Sequence, residues 1–585
     1  MLNQIISVIM SFVISLTGLV YSSFNATIDS LSELIFGIPY SAEAIKADFF
    51  NNIAENDIES ADGETGYINN KIAVFINPEI SFGDKLAFFN SSGGRLVGWS
   101  TPADLYVIEY YEMSYEAIEA KCDRLLRSEA VELAIPVTVF KYAPDRTPSD
   151  DFDYSDIIRE WDEIKPDGRN WWLEAIDARQ AWDYSDYFSK INIGIVDAGF
   201  DLEHPELEGK ISFPSSKLAK RNYPDSHGCH VAGIIAAHHN GLGITGICDN
   251  SNLICVDWLP DLLQLWISDL AIYFGFSSVV EAGAKVVNFS LGSSASKYEN
   301  DSSLFEKLIT PRAYSYMMSS LLSKGYDFIA VQSAGNGDES GNPIDARHNG
   351  CFTNINENNI FTGSYGVSAD EILGRIIVVA SAENKGNGNY VQSFYSNVGS
   401  AVDVSAPGEN IFSCSVDGGY EYMSGTSMAA PVATAVASLV WSVNPDFTGT
   451  EVKEIVCTST DSVAKINTSV PYIYDDLELM DYPMVNAKLA VEEAIRRTDS
   501  KTGTVSGKIN GDAAEMVFDG VSHTVFSDGT YSFVAQSGNG KAEVFDIEGN
   551  KLGGFDLTVE AGKVTDAGEY TVSHNIPATP SDVIN

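Results

Sequence analysis

The chain has 585 residues, more than one hydrophobic core usually organises, so at least two folded units are expected. With 44% hydrophobic and 20% charged residues it has the composition of globular protein rather than of a disordered chain or a membrane bundle. Its formal net charge of -45 argues against nucleic-acid recognition, which depends on clustered Lys and Arg; an acidic surface suits solubility and leaves a preference for basic substrates open.

Residues 5–20 form one apolar run, followed by small and polar residues at Ser22, Ser23 and Ala26, the pattern of an export signal over 1–26. Residues 1–4 carry no Lys or Arg, so a retained membrane anchor is the competing reading. No later segment is expected to be long and apolar enough to span a bilayer. Further on, 72–76 and 105–110 read as strands, Ser114 as the cap of a helix bearing Ile118, Cys122 and Leu125, and 137–140 as another strand. Pro144, Pro148 and an acid-rich run over 142–162 mark a linker or cleavage region, which closes a small α+β unit assigned to 27–160.

Over 161–498 continuous apolar runs such as 193–196 and 376–380 alternate with helix-like stretches, which predicts an α/β unit built on a buried, mostly parallel sheet. Over 499–585 short alternating runs take over: Tyr531, Phe533 and Ala535, then Phe555, Leu557 and Val559. With turn signals at Asp528-Gly529 and Gly538-Asn539-Gly540, they predict a small, antiparallel, all-β sandwich. The seven cysteines lack zinc-site spacing, and disulfides are possible, although the odd count keeps at least one thiol out of them.

Three residues carry candidate chemistry. Ser427 lies in Gly425-Thr426-Ser427-Met428-Ala429-Ala430-Pro431 at the start of a helical run, where free N–H groups and the helix dipole favour the negative charge of a tetrahedral intermediate. His227 opens a second apolar helix, and imidazole is the base a serine hydroxyl needs near neutral pH. Asp197 ends the run 193–196 before Ala198-Gly199, placing its carboxylate at the C-terminal edge of the sheet, where it can orient the imidazole.

In this order the three motifs resemble the subtilisin-like serine peptidases, the subtilases, over residues 171–497, together with Val287-Asn288-Phe289-Ser290-Leu291-Gly292, Ser333-Ala334-Gly335-Asn336 and Ala406-Pro407-Gly408. The resemblance implies a secreted endopeptidase with Asp197, His227 and Ser427 as its triad, acting through an acyl-enzyme. It implies that Asn336 and the Ser427 N–H form the oxyanion hole, and that Ser290, Leu291 and Gly292 pair with the peptide main chain beside Ala334 and Gly335. It implies a structural calcium ion held by Glu206, Asn240 and Asp167, with Glu206 standing where the family commonly has Asp. It also implies that 71–142 is a propeptide, bound as an intramolecular partner before release. Cys229 occupies a position where the family commonly has Thr, and packing is its expected role. The tail unit carries no catalytic cluster. A catalytically silent peptide-binding protein, a narrow maturation peptidase and a permanently attached N-terminal domain remain open. The insertions at 257–276 and 293–322 are expected to reshape the substrate groove.

Overall fold

Strands buried on both faces need unbroken apolar runs, and in a computed structural model of the chain those runs assemble into one eight-stranded sheet. The structure describes residues 45–46, 55–60, 65–141, 168–214, 226–241, 243–257, 266–292, 304–338, 340–386, 388–470, 472, 477–526, 528–547 and 549–572. The export signal over 1–26, the linker over 142–162 and Asp167 lie outside the described residues.

The sheet runs in the order Ile211–Ser212, Ser251–Asp257, Ile191–Asp197, Val286–Phe289, Ile329–Ser333 and Ile376–Asn384. Val404–Pro407 joins the last of these in parallel and Tyr390–Gln392 joins it antiparallel; every other pairing is parallel. From Ile191–Asp197 the chain passes to Ser251–Asp257 on one side and only then to Val286–Phe289 on the other. Strand order therefore reverses at Ile191–Asp197, and connections leaving in opposite directions open a crevice beyond the carboxyl ends of the strands.

Alternate residues face two cores. Ile193, Ile195, Ile329, Val331, Ile377 and Val379 pack with the helices His227–Ala236 and Thr426–Val443. Val196, Val287, Phe289, Ala330 and Val378 pack with Asp269–Glu281 and Leu304–Ser323. Among the described residues Thr426–Val443 is the one helix long and apolar enough to cross a membrane, contrary to the sequence expectation, but 94% of it is buried inside the protein. All seven cysteines are free, six of them buried and Cys457 half-buried.

The N-terminal unit is an α+β sheet in the order Ile45–Lys46, Arg95–Ser100, Leu105–Glu109, Thr65–Ile76 and Val131–Lys141, with Ile58–Ser60 paired to Thr65–Ile76. The expected helix is Tyr115–Leu125, with Ser114 as its N-cap; the helix Phe82–Ser91 and the strand Arg95–Ser100 were not anticipated. Period-two alternation splits the strand Thr65–Ile76. Ile72, Val74 and Ile76 cover the two helices of this unit, while Ala73 and Phe75 enter the core shared with the central unit.

In their described parts the two insertions contact this N-terminal sheet. Trp266–Ser268 pairs antiparallel with Val131–Lys141, and Tyr273 and Tyr316 meet the ring of Phe75 edge-on at 6.0 and 5.4 Å. The Tyr316 hydroxyl donates to the Ile76 carbonyl at 2.9 Å, and Ser320 Oγ to the Pro102 carbonyl at 2.8 Å.

The C-terminal unit is a sandwich of a three-stranded sheet (Thr530–Gln536, Thr502–Asn510, Val564–Thr571) and a four-stranded one (Val521–Thr524, Glu515–Phe518, Gly538–Phe545, Lys551–Val559). It is not wholly antiparallel: Thr502–Asn510 and Val564–Thr571 pair in parallel. Gly538-Asn539-Gly540 is the start of a paired strand rather than a turn, opposite Val559, Thr558 and Leu557, whereas Gly529, at φ +83°, does turn the chain. The sandwich is docked through the Tyr184 hydroxyl, which donates to Glu492 Oε1 at 2.7 Å and accepts the Val534 N–H at 2.9 Å. The Asp183 carboxylate accepts the Thr524 N–H at 2.8 Å.

Candidate active site

Asp197 is the last residue of its strand, and its Oδ1 lies 2.6 Å from His227 Nδ1 while accepting the Ala198 N–H at 2.7 Å. Both residues are buried, at 2% and 5% exposure, so the pair is shielded from competing water. With Nδ1 committed to the carboxylate, ring geometry leaves Nε2 on the far side. The helix that begins at His227 is tied directly to the turn after Asp197: Gly228 N–H donates to the Ala198 carbonyl at 2.6 Å and Cys229 N–H to the Gly199 carbonyl at 2.8 Å. A β-carbon on Gly228 would lie 2.8 Å from that Ala198 oxygen, so this close approach requires glycine. Cys229 is fully buried and burial pushes its thiol up to about 12, which fits packing rather than thiolate reactivity.

Ser427 is the second residue of Thr426–Val443, and its Oγ donates to the Ser290 carbonyl at 3.3 Å. Pro431, four residues on, has no N–H to offer the Ser427 carbonyl, and Ser290 Oγ supplies the missing donor at 2.8 Å. Ser290 is held in turn by Asn288 Nδ2 at 2.9 Å, and Asn288 Oδ1 accepts the Thr434 hydroxyl at 3.0 Å. Strand end and helix start are thereby locked together, and this helix packs against the one that begins at His227.

Asn336 follows the strand Ile329–Ser333, next in the sheet to Val286–Phe289. Its Oδ1 accepts the Thr426 N–H at 2.8 Å and the Thr426 hydroxyl at 2.9 Å, which fixes the oxygen end of the amide on the helix and turns its NH₂ end away. Thr426 Oγ1 also accepts the Gly335 N–H at 3.1 Å. Thr426 escaped attention in the sequence because its neighbour's motif is read for the nucleophile alone. Ser290, Leu291 and Gly292 leave the carboxyl end of Val286–Phe289, beside the switch point, and Ala334 and Gly335 leave that of Ile329–Ser333, the next strand along. Behind the serine, Gly408 of Ala406-Pro407-Gly408 accepts the Gly425 N–H on its carbonyl at 2.9 Å.

Two of the three expected calcium ligands, Glu206 and Asn240, are engaged by hydrogen bonds within the protein. Glu206 is fully buried, its Oε1 accepting the Tyr420 hydroxyl at 2.7 Å and its Oε2 the Asn240 side-chain N–H at 2.9 Å. Asn240 thus presents a donor where an ion requires an oxygen, and the carboxylate is served by protein hydrogens. The space is filled as well: a β-carbon on Gly243, at φ +53°, would lie 2.3 Å from the Tyr420 hydroxyl and 2.4 Å from Glu206 Oε1. Burial raises the Glu206 carboxyl above its ordinary value. Tyr420, 214 residues further along the chain, carried no local sign of this role.

A family model described as "Subtilase family" matches residues 189–488. The chain is 28% identical over 326 residues to "Subtilisin-like protease 1" of Plasmodium berghei (strain Anka), covering 51% of this chain and 49% of that protein. It is 28% identical over 297 residues to "Thermophilic serine proteinase" of Bacillus sp. (strain AK1), covering 50% and 62% respectively. The chain thus spans about half the length of the curated relatives it matches. Among solved structures, fervidolysin from Fervidobacterium pennivorans, a keratinolytic enzyme related to subtilisin, superposes with TM-score 0.52 at 18% identity. The match covers 88% of this chain and 79% of that one, a likeness that shows the fold.

Proposed function

We propose, since the chain belongs to the subtilase family, that it is a secreted serine endopeptidase hydrolysing peptide bonds by acyl transfer to water. The observation that carries this reading is the buried 2.6 Å contact of Asp197 with His227 at the switch point of the sheet, beside a helix with Ser427 in its first turn.

In this mechanism His227 takes the proton of Ser427 Oγ as the hydroxyl attacks the peptide carbonyl, then returns it to the leaving amine. Asp197 holds the imidazole in one tautomer and stabilises the imidazolium without being protonated. The carbonyl oxygen, now negative, sits between the Asn336 NH₂ and the Ser427 N–H. Thr426 has already oriented the amide, so no reorganisation is needed as charge develops. Water then attacks the acyl carbon as His227 removes its proton; the bond to Ser427 Oγ breaks, His227 returns the proton to Oγ, and the acyl group leaves as a carboxylic acid. Substrate main chain pairs along 290–292, a mode that takes proteins and peptides broadly.

The N-terminal unit acts as a propeptide, a role supported by the core it shares with the helices of the central unit, and the apolar run at 5–20 directs export. Fluorophosphonate labelling tests the reading, because only an activated hydroxyl reacts. Ser427 is expected to be modified in the parent chain, with both labelling and casein cleavage lost in Ser427→Ala. A parent that neither labels nor cleaves is a silent binding protein, and the proposal then fails.

A further inference from the structure

The gap between the carboxyl ends of Val286–Phe289 and Ile329–Ser333, next to the switch point, is not an open slot, because the side chains of Asn349 and Asn397 reach into it from distant loops. Its walls are the chain segments that leave two adjacent parallel strands, 290–292 and 333–335. Both walls carry a glycine where they face each other, so neither contributes a side chain there. Between them stands Asn349, 4% exposed, from the short helix Ala346–Asn349. A β-carbon on Gly292 would lie 2.0 Å from Asn349 Oδ1, and one on Gly335 would lie 2.7 Å from the same oxygen and 2.4 Å from Asn397 Nδ2. Asn349 Nδ2 donates to the Ser333 carbonyl at 2.8 Å, which holds the amide in place. The loop behind it is pinned as well: Gln332 donates to the Leu291 and Gly350 carbonyls, each at 3.3 Å, and accepts the Phe352 N–H at 2.8 Å. The plug is therefore bonded to the 333–335 wall, and Gln332 ties its loop to the other, so it cannot swing aside at low cost.

The location matters because Ser427 Oγ lies 3.3 Å from the Ser290 carbonyl, and Asn336 follows Gly335 directly. A peptide carbonyl presented to both has its own α-carbon beside the mouth of this crevice. The side chain on that α-carbon, belonging to the residue on the acyl side of the cleaved bond, is the one that enters.

We propose that Asn349 is a specificity-determining residue, which shortens this pocket so that the chain cleaves after small residues (Gly, Ala or Ser) and rejects aromatic ones. The inference rests on the hydrolase reading and names the substrate class of that same site. A clamped floor group acts on the transition state through size, and pocket differences of this kind discriminate roughly ten-fold to two-hundred-fold.

The test uses the full chain with two peptide p-nitroanilides that differ only in Ala or Phe before the scissile bond, and reads the Phe/Ala ratio of kcat/KM. The parent is expected to favour Ala by roughly ten-fold or more, Asn349→Gly to raise the ratio at least ten-fold, and the isosteric Asn349→Asp to leave it within about three-fold. Because each ratio is internal to one preparation, a partly unfolded variant does not disguise the result. A parent that prefers Phe, or a ratio unmoved in Asn349→Gly, overturns the proposal. Absence of fluorophosphonate labelling and of cleavage of either peptide counts instead against the hydrolase reading.

Discussion

Tyr420→Phe isolates the hydrogen bond that stands where a calcium ion was expected. The ring stays packed, because it stacks on Phe412 at 5.7 Å and meets His204 edge-on at 5.3 Å, contacts a phenyl ring makes equally well. Only the hydroxyl is lost, and with it the 2.7 Å donor to a fully buried carboxylate oxygen. Removing one donor from a buried charged acceptor costs about 1.5–3 kcal/mol. Burial raises the folded-state value for Glu206, so its own contribution to stability is fully present below the unfolded carboxylate value of about 4.3 and is lost as pH rises through the folded one. The Tyr420 hydroxyl favours the ionised form, so its removal raises that value further and the deficit of the variant grows with pH. In urea unfolding on a Ser427→Ala background, which prevents self-digestion, the variant should lose about 1.5–3 kcal/mol near pH 8 and clearly less near pH 4. Neither EDTA nor added calcium should move the parent midpoint. A parent stabilised by calcium, or a Tyr420→Phe chain as stable as its parent at alkaline pH, would refute the reasoning.

Asn336→Ala should lower kcat by roughly 10²–10³ with KM little changed, the size of loss that follows removal of one such donor in this family; undiminished casein cleavage would reject its assignment. His523, stacked on Phe533 at 4.1 Å in the C-terminal sandwich, is lowered from 6.5 to about 4 by burial, with Lys488 adding to the effect. A base held below its ordinary value contributes stability above the unfolded value that is lost as pH falls from there towards the folded one. His523→Phe should therefore flatten the unfolding profile between about pH 6.5 and 4 by about 3 kcal/mol, read as the parent-minus-variant difference.

Much of the site was legible in the sequence because its signals are local. An apolar run ended by Asp197, an apolar helix opened by His227 and another opened at Thr426 are main-chain patterns confined to a few residues each, and the structure places them as expected. The same holds for the parallel sheet and for the helix after Ser114. Partners distant in the chain were another matter. Nothing near Glu206 announces Tyr420, nothing near Gly292 announces Asn349, and the insertion at 257–276 gives no hint that its strand would join the sheet of the N-terminal unit. The parallel pairing of Thr502–Asn510 with Val564–Thr571 was hidden for the same reason.

By itself, then, the amino-acid order determined which segments form strands and helices and which residues stand at their ends, since periodicity and capping act over one or two turns of chain. Tertiary structure alone decided what fills the space between those ends. Whether a carboxylate meets a cation or a tyrosine hydroxyl, and whether a crevice is deep or plugged, depends on side chains that packing brings together from far apart.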